Sequence, residues 1–395
     1  MSLPDVPPSR GYRVLILSAS AGSGHLRAAA ALETVCRTKA DIAEVRNVDA
    51  LTYTNQLFRR FYSKFYFQLM RNMPTLLGWF YDNLDEPWKT ERMRLMLSRL
   101  NTRPLVRMIR DFDPHITICT HFLPAEIISF LIGREAIQTR LSIVVTDLDV
   151  HAMWLSRQFH RYFVALPESR EHLLMTGLPA DRITVSGIPV DQAFAQPMDR
   201  DRLCAEHGVD PAQPLVLVSM GAVGKVVADD LVRVLGHVKT PCQVAFICGS
   251  YRETAERLTE LVSAAPPGPV RFRVVGQTSV MHEWMKMATL LIGKPGGLTV
   301  AECSAIGLPM VVFMPIPGQE ERNCDHLLEY GAAVKCNQIT TLAFKVDELL
   351  GDPPRLQRMG EAARALGRPH AADVIVDTLL SQINLEPIRV PKADE

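Results

Sequence analysis

The sequence predicts an α/β protein made of two doubly wound, Rossmann-like domains, each built on a parallel sheet. Short apolar runs alternate with helical segments through both halves of the 395 residues. A glycine loop also opens a helix once in each half, at residues 18–25 and 294–302. We expect the two domains to face each other across a cleft, because such sheets bind ligands beyond the carboxyl ends of their strands.

The first half, residues 1–200, carries one series of strands and helices. Buried strands are predicted at residues 13–17, 45–49, 115–119, 141–145, 162–165 and 183–186. Helices are predicted at 26–36, at 91–110 and from residue 168. The polar, proline-containing segment that follows Gly187 indicates the link between the domains.

The second half, residues 201–370, repeats the pattern. Strands are predicted at 215–220, 243–248, 271–275, 290–293 and 310–313, and helices at 253–261, 280–287, 298–306 and 320–330. Within residues 371–395, a helix at 371–382 is expected to cross back to the first domain. The polar tail after Asn384 is expected to be mobile.

The composition of the chain limits the kinds of partner that it is expected to bind and the compartment in which it is expected. Lys plus Arg equals Asp plus Glu, 43 each, so no net charge draws the chain to nucleic acid, and attraction to a membrane requires a local patch. The eight cysteines form no C-x-x-C pair, and no metal is predicted, since Asp147-x-Asp149 and Asp111-x-Asp113 are equally weak matches to a D-x-D motif. With no signal-peptide pattern and no apolar run of about 18 residues, the cytoplasm is expected.

Polar side chains follow several predicted strands of the first domain. His25 enters the helix after the first strand, His121 follows the strand at 115–119, and Asp147 and His151 follow the strand at 141–145. Because parallel strands end at one edge of a sheet, these four are expected to share a crevice. A neutral His25 imidazole suits a general base, and Gly24 allows a ligand to approach closely; a structural histidine cap is the alternative.

The second glycine loop has the pattern of an anion site. Gly296 and Gly297 open a helix whose free N–H groups and positive dipole end point the same way, and Glu302 could accept two ribose hydroxyls. An ordinary turn with a surface Glu is the alternative. A further loop with Gly221 and Lys225 fails the P-loop spacing but could contact a diphosphate.

Residues 51–81 contain no acidic residue and alternate aromatic with basic side chains. Such a surface suits a membrane interface, where rings sit at headgroup level and cations meet anionic lipid. An amphipathic core helix with a solvated basic face is the alternative. The residues predicted to contact membrane or acceptor are Phe58, Arg59, Arg60, Phe61, Lys64, Phe65 and His121.

Taken together, these motifs resemble the GT-B glycosyltransferases, above all the branch of monogalactosyldiacylglycerol synthases and processive diacylglycerol glucosyltransferases. The lipid II N-acetylglucosaminyltransferase is a more distant relative. The resemblance runs through residues 13–335 in the family's order. The matching stretches are residues 18–25, 120–124, 146–154 and 187–190, and then Lys294-Pro295-Gly296-Gly297, Glu302, Gln319, Glu320 and Asn323.

The resemblance implies a UDP-sugar donor in the second domain and no bound metal or cofactor. Glu302 would hold the ribose, Gly296 and Gly297 the diphosphate, and Gln319, Glu320 and Asn323 the hexose hydroxyls. The loop from Gly276 corresponds to the uracil-binding region, although Gln277 stands where the family usually has Phe.

The function predicted on this basis is inverting transfer of galactose or glucose from a UDP-hexose to diacylglycerol. His25 is the predicted base or acceptor-positioning group, with Asp147 or His151 orienting it. The enzyme is expected on the inner face of the membrane as a peripheral protein with an anionic lipid surface as partner. Three alternatives stay open: a polyprenyl-linked or other lipid acceptor, a UDP-sugar epimerase, and a catalytically silent nucleotide-sugar binding module.

Overall fold

The computed structural model describes residues 11–20, 22–53, 85–86, 103–219 and 224–391, with residues 224–226 described by their backbone alone. The chain divides into two compact units. Unit 1 comprises Met1–Gln192, Ile316–Arg322 and Arg368–Glu395, and unit 2 comprises Ala193–Pro315 and Asn323–Gly367. The acid-free stretch with Phe58, Arg59, Arg60, Phe61, Lys64 and Phe65 lies outside the described residues, and so does Gly221.

The strands fall where short β-branched and aliphatic runs occur in the sequence. In chain order they are β1 (Tyr12–Ser18), β2 (Ile42–Asp49), β3 (Ile116–Cys119), β4 (Arg140–Val144), β5 (Gln158–Phe159), β6 (Arg161–Val164), β7 (Ile183–Val185), β8 (Leu215–Ser219), β9 (Cys242–Ile247), β10 (Val270–Val275), β11 (Leu290–Gly293), β12 (Met310–Phe313), β13 (Ala333–Cys336) and β14 (Ile388–Arg389).

The α-helices alternate with these strands. In chain order they are α1 (Ser23–Cys36), α2 (Arg103–Phe112), α3 (Phe122–Gly133), α4 (Pro167–Met175), α5 (Arg200–His207), α6 (Gly224–Leu235), α7 (Arg252–Ser263), α8 (Met281–Met287), α9 (Gly297–Ile306), α10 (Gln319–Glu329), α11 (Leu342–Leu350), α12 (Pro353–Leu366) and α13 (Ala371–Ser381).

Each unit contains one six-stranded sheet, with strand order β2-β1-β3-β4-β6-β7 in unit 1 and β10-β9-β8-β11-β12-β13 in unit 2. Every pairing within these two sheets is parallel. The winding direction reverses between β1 and β3 in unit 1 and between β8 and β11 in unit 2. The predicted doubly wound α/β architecture is therefore confirmed, and it contains two topological switch points, where ligands of such sheets bind.

The sheet of unit 1 is buried on both faces, which explains its unbroken apolar strands. Along β1, Leu15 and Leu17 enter a core formed with α2 and α3, whereas Val14 and Ile16 enter a second core formed with α1 and α13. Burying a side chain of this size stabilises the fold by about 1.5–3 kcal/mol. These two layers fix the loops that follow β1 and β3.

The last segment of the chain completes unit 1. α13 packs against α1, and buried cationic residues at the amino ends of β4 and β6 hold the end of α13. Arg140 Nε donates to Ile383 O at 2.9 Å, and Arg161 Nη2 donates to the side-chain amide oxygen of Gln382. The uncharged ring of His160 also donates from Nε2 to Gln382 O at 3.0 Å. Cations suit this place because a helix C-terminus carries partial negative charge.

The expectation of a mobile tail after Asn384 is wrong for residues 388–391. β14 pairs antiparallel with β5, and Arg157 Nη1 donates to Pro391 O at 2.6 Å. The backbone of this segment finds ladder partners on β5, which the polar sequence alone does not indicate.

Candidate active site

The switch point of unit 1 is closed by hydrogen bonds between the loops after β1, β3 and β4. His25 lies in the first turn of α1, and its Nδ1 is 2.9 Å from Thr120 O and 2.7 Å from Thr146 Oγ1. Thr120 Oγ1 donates to His25 O at 3.0 Å. His25 is therefore fixed by two threonines that follow β3 and β4.

These contacts decide the tautomer of His25. A carbonyl oxygen only accepts, so we assign the proton to Nδ1, which shares it between Thr120 O and Thr146 Oγ1, and Nε2 keeps its lone pair. Burial lowers the pKa of His25 to about 4, and the hydrogen bond to Thr120 partly offsets this. At neutral pH the ring is uncharged, and Nε2 is in the state that a general base requires.

His121 and His151 have a different role from His25, because each caps a helix. His121 Nδ1 accepts from Leu123 N at 3.1 Å at the start of α3, and His151 Nδ1 accepts from Met153 N at 3.0 Å at the start of the 3₁₀ turn Ala152–Trp154. Both side chains are buried. The alternative of a structural cap thus describes these two histidines, whereas His25 makes no such bond.

Of the predicted residues of the first domain, His25 and His121 are in contact and Asp147 follows Thr146, which is bonded to His25. The ring nitrogens of His151 lie against Met153 N and Asp85 instead, and the predicted orientation of His25 by Asp147 or His151 stays a prediction. The rings of His25 and His121 meet edge to face with centroids 4.6 Å apart, and burial, then the neighbouring His25, lowers the pKa of His121 well below its usual range. Asp147 is buried beside Thr146 and accepts a hydrogen bond from the side-chain amide of Gln319. Glu320 Oε2 accepts from Ile316 N at 2.6 Å.

The switch point of unit 2 presents backbone rather than side chains. α9 starts after an extended N-cap, Gly296, and no side chain caps it, so its first N–H groups keep no side-chain acceptor. A small, partly open cavity lies at the ends of the central strands. It is lined by Val218, Ser219, Val227, Leu231, Ile292, Gly293, Lys294, Phe313 and Met314.

Two of the predicted donor residues of unit 2 lie in its interior. Glu302 is 2% exposed on α9, and its charge, after burial, contributes to raising the pKa of the Cys303 thiol well above its usual range. Asn323 is fully buried, and its Nδ2 donates to Pro295 O at 3.1 Å. Asn323 therefore holds the glycine loop in place, and its predicted contact with a hexose stays a prediction.

The secondary structure gives the positions of the remaining predicted residues. Gly24 is the second residue of α1, and Lys225 is the second residue of α6 rather than part of a loop. Gly276 follows β10, and a Cβ built there meets no atom within 4 Å.

The described residues contain no group of three or more His, Cys, Asp or Glu side chains that could hold a metal ion. Among the same residues, no helix combines the length and apolar character needed to cross a membrane.

Sequence comparisons match each half of the chain to a glycosyltransferase family. Residues 25–190 match the monogalactosyldiacylglycerol (MGDG) synthase model, and residues 199–366 match the model for glycosyl transferases group 1. The chain is 28% identical over 388 residues to a processive diacylglycerol beta-glucosyltransferase of Bacillus cereus (strain AH187), covering 96% of both chains. The protein of the same name from Bacillus thuringiensis (strain Al Hakam) is also 28% identical, with 96% of both chains covered.

Solved structures show the same fold at low identity. MurG of Acinetobacter baumannii superposes with a TM-score of 0.61 at 17% identity, covering 94% of this chain and 99% of the other. A UDP-GlcNAc 2-epimerase from Neisseria meningitidis gives 0.61 at 14% identity, covering 93% and 100%. At these identities the likeness concerns the fold alone, and it includes both transferases and epimerases.

The chain is thus a glycosyltransferase, because its sequence matches two glycosyltransferase family models, and the likeness to MurG adds only that its fold has the GT-B architecture. Within that class, its first half matches the monogalactosyldiacylglycerol synthases, and full-length relatives carry the name of diacylglycerol glucosyltransferases. The resemblance predicted from the motifs is confirmed.

Proposed function

We propose that this enzyme transfers a hexose from a UDP-hexose to diacylglycerol at a membrane surface, with inversion at the anomeric carbon. The observation that carries the proposal is the state of His25 at the switch point of unit 1. Its Nδ1 is engaged by Thr120 and Thr146, so Nε2 is left as a proton acceptor. An acceptor hydroxyl must lose one proton as it attacks, and this nitrogen is fit to take it.

His25 can accept a proton at neutral pH without first having to lose one. With a pKa of about 4, His25 is neutral at pH 7, so no proton has to leave before the reaction. As the hydroxyl oxygen bonds to the anomeric carbon, the bond from that carbon to the UDP oxygen breaks and the hydroxyl proton passes to Nε2. The hydrogen bond from Nδ1 to Thr120 O stabilises the resulting imidazolium, because it favours the protonated ring.

Unit 2 supplies what a nucleotide-sugar donor needs. The uncapped start of α9 offers N–H groups to a diphosphate, and Lys294 lines the adjoining cavity. These groups also stabilise the negative charge that UDP gains on leaving, with no metal or cofactor required by the proposal. UDP as the carrier is supported by neighbours of the same fold whose structures contain UDP-GlcNAc, or UDP and glucose.

Diacylglycerol is favoured as acceptor by the names of the relatives and of the family model that matches unit 1. The predicted basic aromatic residues, Phe58 to Arg71 in the sequence, would bring the enzyme to an anionic surface that displays this lipid. Glucose and galactose both fit the proposal, since one relative's name specifies glucose and the family model's name galactose.

The test is incubation of the purified enzyme with vesicles that contain diacylglycerol, separately with UDP-glucose and UDP-galactose, and mass spectrometry of the lipids. We expect a hexosyl-diacylglycerol from one donor, and flotation of the enzyme with anionic but not neutral vesicles. A product formed only with a polyprenyl phosphate acceptor would contradict the proposal. Conversion of the UDP-sugar to its epimer without any lipid would identify an epimerase instead.

A further inference from the structure

An ionic contact that the motifs do not reveal lies beside the predicted catalytic residues of unit 1. The first turn of α10, within the segment Ile316–Arg322, is attached to the loop after β4 by two side chains. Gln319 donates to Asp147, and Arg322 Nη1 lies 2.6 Å from Asp85 Oδ2 and 3.3 Å from Asp149 Oδ2. Residues three apart share a helix face, so the two attachments are neighbours.

Asp85 contacts both Arg322 and the loop after β4. Its Oδ2 receives Arg322, while its Oδ1 accepts from Ala152 N at 2.7 Å and lies 3.7 Å from His151 Nε2. Asp149 in turn accepts from Val150 N through Oδ1 at 2.9 Å. Each carboxylate therefore uses one oxygen on the backbone of the loop and the other on Arg322, which fixes the guanidinium in a defined place.

The contact is more sheltered than an ordinary surface ion pair. The side chain of Asp85 is 16% exposed and that of Arg322 is 29% exposed. Exposed pairs contribute about 0–1 kcal/mol because water and salt screen them, and partial burial reduces this screening. Loss of Arg322 would also leave Asp85 and Asp149 close together with their common cation removed, and like charges at short range repel.

We propose that Arg322, bound by Asp85 and Asp149, is a positioning residue for glycosyl transfer. It sets the place of Gln319, a predicted hexose contact, against Asp147, a predicted partner of the base. This inference rests on the proposed function, because it assumes that the turn beginning at Gln319 meets the hexose. It assigns roles to Asp85 and Arg322, which lie 237 residues apart in sequence and which no motif connected.

The experiment compares Arg322→Met, Arg322→Lys and Asp85→Asn with the wild type, using hexose transfer and the thermal midpoint. We expect Arg322→Met to lower kcat/KM about 10–100-fold, with a higher KM for UDP-hexose. The thermal midpoint should fall because Asp85 and Asp149 then repel each other, but the variant should stay folded at the assay temperature. Arg322→Lys should recover part of the loss, because it keeps the charge but not the fork geometry. Arg252→Met, at a 90% exposed arginine of α7, is the matched control and should behave as wild type.

Two results would overturn the inference. One is wild-type kinetics in Arg322→Met. The other is that each variant loses activity only in proportion to its unfolded fraction, and that Arg322→Lys loses as much activity as Arg322→Met. Calorimetric titration with UDP-hexose measures the affinity for the donor in the absence of diacylglycerol. If the wild type binds donor but does not modify diacylglycerol, the proposed function fails, while weaker donor binding by Arg322→Met would still support the role of Arg322.

Discussion

At the switch point of unit 1 the loops are joined by side chains, whereas at the switch point of unit 2 the exposed groups belong to the backbone. The first brings an imidazole and two threonines together across β1, β3 and β4. The second consists of a glycine N-cap, a cavity and the lysine that follows β11. The same parallel-sheet architecture therefore carries two different kinds of site.

The difference follows from what each half must do in a transfer reaction. Removing a proton requires a titratable atom at a fixed position, which only a side chain supplies. Binding a diphosphate requires several donors that converge on an anion, which the start of a helix supplies without any side chain. A substitution at the switch point of unit 1 should thus change turnover, and one at the switch point of unit 2 should change the affinity for the donor. The segment Ile316–Arg322 is the exception, because it belongs to unit 1 but carries predicted hexose contacts.

The largest expected effect is that of His25→Ala. We expect kcat to fall about 10²–10⁴-fold, since the hydroxyl proton loses its acceptor, while the Kd for UDP changes little. Steady-state kinetics and calorimetry measure the two quantities. His172→Ala, at an exposed histidine of α4, is the control and should retain wild-type values. Comparable turnover in the His25 variant would remove the chemical distinction between the two switch points.

A smaller effect is expected from Glu302→Ala in unit 2. If the carboxylate holds the ribose, loss of its charge-assisted hydrogen bonds should raise the KM for UDP-hexose about 10–100-fold and leave the KM for diacylglycerol unchanged. Glu302→Gln keeps the volume of this buried side chain and separates packing from charge. Equal effects on both KM values would show that Glu302 has another role.

The smallest expected effect is on the pH dependence of the free energy of unfolding, and it involves His160. His160, buried at the opposite edge of the unit 1 sheet from His25, also has a pKa lowered by burial to about 4. The unfolded chain takes up this proton near pH 6.5 and the folded one only near pH 4, so stability is lost as the pH falls through that window. We expect His160 to account for about 2 kcal/mol of the loss between pH 7.5 and pH 5.

Urea unfolding at several pH values tests this prediction in wild type and His160→Gln, whose amide can still donate to Gln382 O. A weaker pH dependence in the variant is expected, together with unchanged turnover at pH 7.5. An identical pH dependence would show that other groups cause the acid loss. The result would separate the two histidines, because both are neutral at pH 7.5 but His160 is buried, whereas His25 is partly exposed and within reach of a substrate.

The sequence predicts the sheets well because each central strand is a short apolar run bounded by glycine or polar residues. It also places His25, His121 and Asp147 correctly at the carboxyl edge of one sheet, since that follows from strand direction alone. The pattern does not predict β13, although Ala333–Cys336 is as long as β11 and β12, because a lysine interrupts its apolar run and its two middle residues are only partly buried. The position of this strand is indicated by its neighbour β12 rather than by its own pattern.

What the sequence could not give are contacts set by tertiary structure. Thr120 and Thr146 decide the tautomer of His25, yet a threonine after a strand is common and indicates nothing by itself. Arg322 and Asp85 meet only because the chain returns to unit 1 at Ile316–Arg322. The cap roles of His121 and His151 depend on ring orientation, which spacing along the chain does not reveal.

One feature shared by both switch points concerns how easily the enzyme could be stabilised. α1 and α9 each start after a glycine, Gly22 or Gly296, with no side-chain cap. Serine or aspartate there would satisfy an N–H with the protein's own oxygen, at a gain over glycine of only a few tenths of a kcal/mol. At α9 the same oxygen would compete with the diphosphate that we propose binds there, so attempts to engineer a more stable variant should leave Gly296 unchanged.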